Sequence, residues 1–599
     1  MGGTANISSL VYLYILGTFC IQIERKGDGM ERINGSRILL ETLHRLGVRD
    51  VFGYPGGAVI PIYDEIYKFD KIRHYFSRHE QGAAHEADGY ARASGKVGVC
   101  IATSGPGASN LVTGIMTAHM DSSPLLAITG QVGISMLGKD SFQESDIVGT
   151  SLPITKMNYL VTDIRDLVRI IKEGYYIART GRPGPVLIDI PKDVQMAEMD
   201  MRDYESLYQE ELNLPGYKPR PQVDKEAVEK ALKLIRSSSR PLIIAGAGVI
   251  KSDSYLELRE FAEKNHIPVT MTLLGLGGFP SQHHLSLGML GMHGTVPANL
   301  ATDEADLVIA AGIRFDDRIT GDPEEFCKNA KIIHIDIDPA EIGKNKEVDL
   351  GIVADLKEVL GQFNSSLSGL ENKDWSERIG ELKSQYPMEY PKSENGRLMP
   401  QEVLEEVDRL LEGDAIIATD VGQNQMWAAQ YLSFTEPKTI ITSGGSGTMG
   451  FGLPSAIGAQ VARPDKKVVA VVGDGGFQMT FHELMVAKQY ELPIKILILN
   501  NSFLGMVRQW QEMFNEKRYS FVDLSVNPDF NKIAEAYGIR SATIENREEM
   551  EEKLGELLKV NEPVVVNFIV EKEANVLPMI PAGRTVHHML GKRGVLDGA

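Results

Sequence analysis

The 599-residue sequence predicts an α/β protein of three domains, each a parallel sheet flanked by helices. Three observations lead there. Short, nearly continuous apolar runs at 125–129, 186–190, 242–245, 307–311, 332–337, 415–419, 468–472, 494–499 and 564–570 have the character of strands covered on both faces. The intervals between them leave room for crossover helices, and 401–411 sets Val403, Val407, Leu410 and Leu411 at helical spacing. The length is roughly four times a typical domain of about 150 residues, and two stretches rich in proline and charge, 209–222 and 365–400, break the rhythm as linkers.

In chain order, 1–29 reads as a disordered or non-native leader. Its apolar run at 10–23 is too short to span a bilayer, no Lys or Arg precedes it, and no small-residue cleavage site follows, which disfavours a signal peptide. Met30 is the expected initiator. The linkers then delimit domains at 30–205, 223–365 and 400–570, each of ordinary domain size. The final segment, 571–599, lacks strand alternation and is either a frayed tail or a lid.

Composition narrows the function. With 43% hydrophobic and 24% charged residues the chain is globular, which excludes a disordered, collagen-like or multi-span membrane protein. Lys+Arg 62 minus Asp+Glu 81 gives −19 with no offsetting basic stretch, which disfavours a phosphate-backbone-binding surface, and no nucleic-acid partner is expected. Cys20, Cys100 and Cys327 are too few and too scattered for a disulfide framework or zinc cluster, in keeping with a reducing, cytoplasmic setting.

The most specific constellation lies in the third domain. The strand at 468–472 runs into Gly473-Asp474-Gly475-Gly476, and one βα unit later a second strand ends at Asn500-Asn501. Parallel strands place both ends on one sheet edge, where ligands bind. Asp474 and Asn501 can there give two oxygen ligands to one hard cation, while the glycines let backbone N–H groups approach a diphosphate. Magnesium bridging to a diphosphate is the natural reading. In the middle domain Gly246-Ala247-Gly248 is a weak dinucleotide signal, because Lys251 stands where a third glycine belongs.

The pairing of Gly-Asp-Gly with Asn-Asn resembles the thiamin diphosphate signature. From Met30 to about residue 570 the chain further resembles the acetohydroxyacid synthase (acetolactate synthase) catalytic large-subunit family. The matching segments include VFGYPGGAVIPIYDEI (51–66), RHEQGAAHEADGYARASG (78–95), TSGPGASN (103–110), FQESDIVG (142–149), GRPGPVLIDIPKDV (181–194), GMHGT (291–295), GIRFDDR (312–318), GQNQMWAAQ (422–430), GTMGFGLPSAIGA (447–459) and GMVRQWQ (505–511). The resemblance implies thiamin diphosphate-enzyme architecture, with pyrimidine-binding, FAD-binding and diphosphate-binding domains in that order. It implies a catalytic role for Glu80, which would share a proton with the cofactor aminopyrimidine, and for Met449, Gln143 and Lys192, with Met449 as the wedge over which the cofactor folds.

Thiamin diphosphate contacts are implied for Gly56, Glu80, Val421, Gly422, Gln423, Asn424, Gly447, Met449, Gly473, Asp474, Gly475, Gly476, Asn501, Phe503, Leu504, Gly505, Met506 and Val507, with Asp474, Asn501 and Phe503 on magnesium. Family members often carry His where Asn424 stands; an amide can still donate to a phosphate oxygen, so binding is expected to survive. A non-redox FAD is implied at Arg182, Gly246, Gly248, Thr272, Leu273, Gly291, Met292, His293, Gly312, Arg314, Asp317, Arg318, Asp336, Ile337 and Asp355. Substrate contacts are implied for Phe142, Gln143, Lys192, Arg318 and Trp510, with Trp510 favouring 2-oxobutyrate over pyruvate as second substrate. The implied reaction is decarboxylating condensation of pyruvate with a second 2-oxoacid in branched-chain amino acid biosynthesis. A homodimer or homotetramer with shared active sites and a small regulatory subunit are also implied. Against a flavin-reducing pyruvate oxidase stand GIRFDDR and Trp510; against a glyoxylate carboligase stands Glu80; against a non-catalytic paralogue stand Glu80, Asp474 and Asn501 together.

Overall fold

The computed structural model describes residues 32–393, 396–591 and 594–595; the leader 1–29 and Met30 lie outside them. Three six-stranded parallel sheets carry the chain. The first holds Asp50–Gly53, Arg73–Phe76, Gly98–Ala102, Leu125–Gln131, Met157–Leu160 and Val186–Pro191, in the spatial order 2-1-3-4-6-5. The third holds Ala415–Thr419, Ile440–Ile441, Lys467–Gly473, Lys495–Asn500, Arg540–Ile544 and Val564–Ile569 in the same order. The middle sheet holds Pro241–Ala245, Val269–Met271, Ser286–Met289, Leu307–Ala311, Lys331–Asp336 and Leu350–Val353 in the order 3-2-1-4-5-6 of doubly wound dinucleotide folds.

Central strands such as Lys467–Gly473 and Lys495–Asn500 bury their apolar side chains on both faces, which is why they read as unbroken apolar runs. Several strands that the sequence pattern missed are short, mixed or at edges: Arg73–Phe76 is RHYF, Met157–Leu160 is MNYL and Arg540–Ile544 is RSATI; the central strand Gly98–Ala102, GVCIA, was missed although it is wholly buried. In each sheet the direction of winding reverses beside the first strand, and a crevice opens there at the carboxyl edge.

The outer sheets are locked together by two helices. Helix Glu80–Ser94 packs on helix Gly452–Ala462 so closely that a Cβ on Gly89 would lie 2.1 Å from the Ser455 carbonyl oxygen, and one on Gly458 1.8 Å from that of Glu86. Beside this seam Arg92 pairs with Asp88 at 2.8 Å and Asp121 at 2.9 Å, both carboxylates fully buried, and donates to the Thr442 carbonyl at 2.7 Å. Asp121 in turn accepts from the backbone of Gly444 and Gly445, so one buried charge group ties the first sheet to the turn leading to Met449.

One segment differs from expectation. The 365–400 stretch, read as a linker, contains helix Lys373–Gln385, whose Trp375, Ile379 and Leu382 are buried against the middle sheet; Trp375 Nε1 donates to the Pro241 carbonyl at 3.0 Å. Three apolar residues among many charges hid that stripe. The described part of 571–599 docks back: Val576 and Gln509 exchange two hydrogen bonds, and Ile580 N donates to the Met292 carbonyl at 2.8 Å.

Helix propensity alone makes Gly458→Ala stabilising by about 1 kcal/mol. The backbone contact reverses the sign, and the substitution is expected to cost about 1–3 kcal/mol in thermal or denaturant unfolding.

Candidate active site

The first sheet's crevice is lined by the turn after strand Asp50–Gly53 and by 103–110 after strand Gly98–Ala102. Thr103 joins them: its Oγ1 accepts from Ala58 N at 3.0 Å, and a Cβ on Gly56 would strike its side chain at 2.5 Å. Glu80 opens helix Glu80–Ser94 and is buried. Asn110 Nδ2 donates to Glu80 Oε2 at 3.0 Å, and a Cβ on Gly107 would lie 3.2 Å from Glu80 Oε1. Gly105, at φ +62°, passes under Gln143, itself left-handed at φ +59°, with room for no Cβ. Gln143 therefore joins the edge that holds Glu80. Lys192 opens the short helix Lys192–Met196 on that edge directly after strand Val186–Pro191. Phe142 stands 87% exposed. Asp189, buried at the end of that strand and pushed up to about 7 by burial, accepts from Thr129 and Gln131, while Gln131 donates to the Ser145 carbonyl and so anchors the loop bearing Gln143.

The third sheet's crevice is organised by Asp420, which the sequence reading passed over. Fully buried just after strand Ala415–Thr419, it accepts from the backbone N–H of Val421 at 2.7 Å, Gly450 at 2.9 Å and Gly452 at 3.3 Å. Burial pushes its carboxyl up to about 6 against those donors. A Cβ on Gly476 would lie 2.5 Å from Asp420 Oδ1, so this acid draws together the 421–424 turn, the Met449 turn and the helix after Gly473. Gly447 takes φ +62° in that turn, and Met449 is half-buried with its Cε 3.7 Å from where a Cβ on Gly475 would sit; Leu504 closes on the same glycine.

Asp474 begins helix Asp474–Thr480 after strand Lys467–Gly473. Burial raises it to about 6, opposed by Asn527 Nδ2 donating to its Oδ2 at 2.6 Å. Asn501 follows strand Lys495–Asn500; its Oδ1 accepts from Phe503 N at 3.1 Å and its Nδ2 donates to Gln423 Oε1 at 3.1 Å. The turn reverses through Ser502 at φ +57° and is stapled to 522–524 by backbone hydrogen bonds from Leu504 and Leu524. Gly505 has no space for a side chain between Gln423 and Asn501. Gln423 is committed on both ends, its Oε1 accepting from Asn501 and its Nε2 donating to Gln509 at 2.9 Å and to the Ala574 carbonyl at 2.8 Å. Asn424 Nδ2 donates to the Val471 carbonyl at 3.0 Å. Met506 and Val507 occupy the first turn of helix Gly505–Phe514, with Val507 48% exposed.

In the middle sheet Gly246 and Gly248 after the first strand press on Gly312 after the fourth: a Cβ on Gly246 would lie 2.2 Å from the Gly312 carbonyl oxygen, and one on Gly248 2.6 Å from its Cα. Loop-to-loop packing at the crevice thus requires these three glycines before any ligand is considered. Thr272 and Leu273 lie beside them through Thr272 N donating to the Ala245 carbonyl, and Gly291 and Met292 sit on Arg318 through Met292 N donating to its carbonyl. Asp336 ends its strand and is pushed up to about 6 by burial; Ile337 follows, and Asp355 caps helix Leu356–Ser366. Burial holds His293 neutral, down to about 4. Arg182 reaches from the first domain to Glu341 at 2.6 Å and Asp338 at 3.2 Å. Arg314 lies half-buried after Gly312, and Asp317 is exposed. Arg318 lies over the ring of half-buried Trp510 at 5.9 Å, so these two residues, far apart in sequence, meet. A cleft between Met292, Asp317, Arg318 and the docked tail residues Ile580 and Arg584 borders this contact.

Besides Asp420, sequence reasoning missed Asn110 and Asn527, which grip Glu80 and Asp474 from 30 and 53 residues away. Asp420→Ala strands three backbone N–H groups in the crevice and is expected to destabilise the protein by about 1–3 kcal/mol for each group that water does not reach, read from denaturant unfolding.

Comparison with known proteins fits this geometry. Three thiamine pyrophosphate enzyme family profiles match in order: the N-terminal TPP binding domain at 33–150, the central domain at 228–363 and the C-terminal TPP binding domain at 420–568. The chain is 48% identical over 561 residues to the acetolactate synthase large subunit of Lactococcus lactis, covering 93% of this chain and 96% of that protein. It is 47% identical over 581 residues to that of Corynebacterium glutamicum, covering 95% and 92%, and 48% identical over 562 residues to a probable acetolactate synthase large subunit of Methanocaldococcus jannaschii, covering 92% and 94%. With likeness of this extent running through all three sheets, the chain belongs to the acetolactate synthase large-subunit family of thiamine pyrophosphate enzymes.

Proposed function

We propose that the chain is a catalytic subunit that decarboxylates pyruvate and joins the two-carbon fragment to a second 2-oxoacid. Pyruvate gives 2-acetolactate; 2-oxobutyrate gives 2-aceto-2-hydroxybutyrate, both early compounds of branched-chain amino acid biosynthesis. The observation that carries the reading is the pair of half-sites: Glu80 gripped by Asn110 on one sheet edge, and Asp474 beside Asn501 on the matching edge of a sheet with the same strand order.

The third-sheet crevice suits thiamin diphosphate and magnesium. Asp474, the Asn501 amide oxygen and the Phe503 main-chain carbonyl are hard oxygen donors, the set magnesium prefers. The start of helix Asp474–Thr480 presents N–H groups to a diphosphate. When bound, thiamin diphosphate supplies the acidic carbon and the electron sink. Glu80 holds and moves the proton at the aminopyrimidine, Met449 shapes the pocket, Arg318 faces the substrate carboxylate and Trp510 meets the second substrate's alkyl group. FAD suits the middle crevice, where the strand order reverses and half-buried Asp336 can accept a hydrogen bond; its role there is structural.

Exposed apolar side chains flank both half-sites, Met116, Met136 and Phe142 on one and Met479, Val507 and Phe514 on the other. They support a homodimer or homotetramer in which Glu80 of one chain serves the diphosphate site of another. A small regulatory subunit is inferred from the relatives' designation as large subunits. Among the described residues no helix is long and apolar enough to cross a membrane, and the buried thiols of Cys100 and Cys327 accord with a cytoplasmic setting.

Purified protein given pyruvate, with and without 2-oxobutyrate, should form the two products only when thiamin diphosphate and magnesium are present, without net flavin reduction; products absent under full reconstitution would refute the assignment. Trp510→Leu should lower the preference for 2-oxobutyrate roughly 10-fold or more, measured by competing the two substrates. Magnesium needs the Asp474 carboxylate, whose raised pKa is about 6, so affinity should weaken as pH falls through 6 and calorimetry should detect proton release on binding near pH 6 but not near pH 8.

A further inference from the structure

The helix that begins with Glu80 is held at its amino end by a carboxylate from the other sheet. Glu483 closes the turn Phe481–Glu483 that follows helix Asp474–Thr480, and its side chain is fully buried. Its Oε2 accepts from Arg78 N at 2.9 Å and its Oε1 from His79 N at 3.1 Å, the two residues immediately before Glu80. Gly82 makes the approach feasible, since a Cβ there would lie 2.0 Å from Glu483 Oε1. One turn along the same helix is Glu86, wholly buried, its Oε2 accepting from Ser77 Oγ at 2.5 Å and its Oε1 lacking any donor.

Burial and the neighbouring carboxyl push Glu86 well above the usual range, and burial pushes Glu483 up to about 7. A proton on Glu86 supplies the hydrogen bond its carboxyl lacks and leaves Glu483 as the anion that two N–H donors require. The other charged or titratable groups facing the pair are Arg78, His79 and His482, the last with Nε2 3.5 Å from Glu483 Oε1.

We propose that Glu483 is a positioning residue for Glu80, fixing the 77–79 segment and hence the place of the Glu80 carboxyl across the interface between the first and third sheets. It rests on the reading of Glu80 as the acid that serves the cofactor. The amide of Glu483→Gln offers one acceptor where two N–H groups point, so one of them meets an NH2 group and the segment shifts.

The test follows deuterium exchange at the thiamin diphosphate C2 position in the magnesium-loaded enzyme, a readout that general loss of stability does not mimic once bound cofactor is counted. Glu483→Gln should slow exchange roughly 10- to 100-fold while thiamin diphosphate affinity stays within about 3-fold, the scale expected when a reacting group moves by about 1 Å. Gly82→Ala should slow exchange too, by displacing Glu483, yet should add nothing in a Glu483→Ala background. Exchange within about 2-fold of the parent in Glu483→Gln, with Glu80→Gln slow, would overturn the positioning role and leave the reading of Glu80 standing. Normal exchange in Glu80→Gln would overturn that reading and the proposal with it. If Glu483→Gln fails to fold, Gly82→Ala decides: unchanged exchange overturns the proposal and slowed exchange supports it.

Discussion

The contact on which the rest depends is the backbone-to-backbone packing of helix Glu80–Ser94 against helix Gly452–Ala462. Gly89 and Gly458 leave no space for a Cβ, so the two sheets meet at one separation and in one register. Each helix starts at the site: Glu80 is the first residue of one, and the Met449 turn runs directly into the other. Along the seam the charge group of Arg92, Asp88 and Asp121 fixes the 442–445 backbone, and Glu483 reaches back to the segment before Glu80. A buried ion group of this kind costs desolvation energy, and its return here is a defined geometry.

A common electrostatic pattern runs through the three sheets. Asp189, Asp336, Asp420 and Asp474 stand at or near the carboxyl ends of parallel strands, each raised by burial to about 6 or 7. Asp189 and Asp420 spend their oxygens on neighbouring side chains and backbone, and so shape the crevices. Asp474 accepts from Asn527 and from the backbone N–H groups of Gly475 and Ser502, and Asp336 accepts from Asp338 N at 2.9 Å. In every sheet the same desolvation is opposed by the N–H and O–H donors that the surrounding loops bring.

The parts legible in the sequence were those with local signals. Double-sided burial wrote the central strands as apolar runs, and the Gly-Asp-Gly and Asn-Asn spacing located the third crevice because both lie at strand ends one βα unit apart. Edge strands such as Arg73–Phe76 carry no such run, since half their surface meets polar surroundings. Asn110, Asp420, Asn527 and Glu483 act through partners 30 to 405 residues away, and no spacing rule marks them. The glycines had the right importance for a partly different reason: Gly246, Gly248 and Gly312 make room for one another. Gln423, expected on the cofactor, spends its side chain tying Asn501 to Gln509 and the docked tail.

The shared centre proposed above joins the Glu80 half-site of one chain to the Asp474 half-site of another. Mixing Glu80→Gln protein with Asp474→Ala protein, each expected to be inactive alone, tests it most directly. Subunit exchange should restore acetolactate formation, because the mixed dimer holds one centre with both residues intact. Mixed dimers that form, verified by differential tagging, yet stay as inactive as their parents would contradict the account.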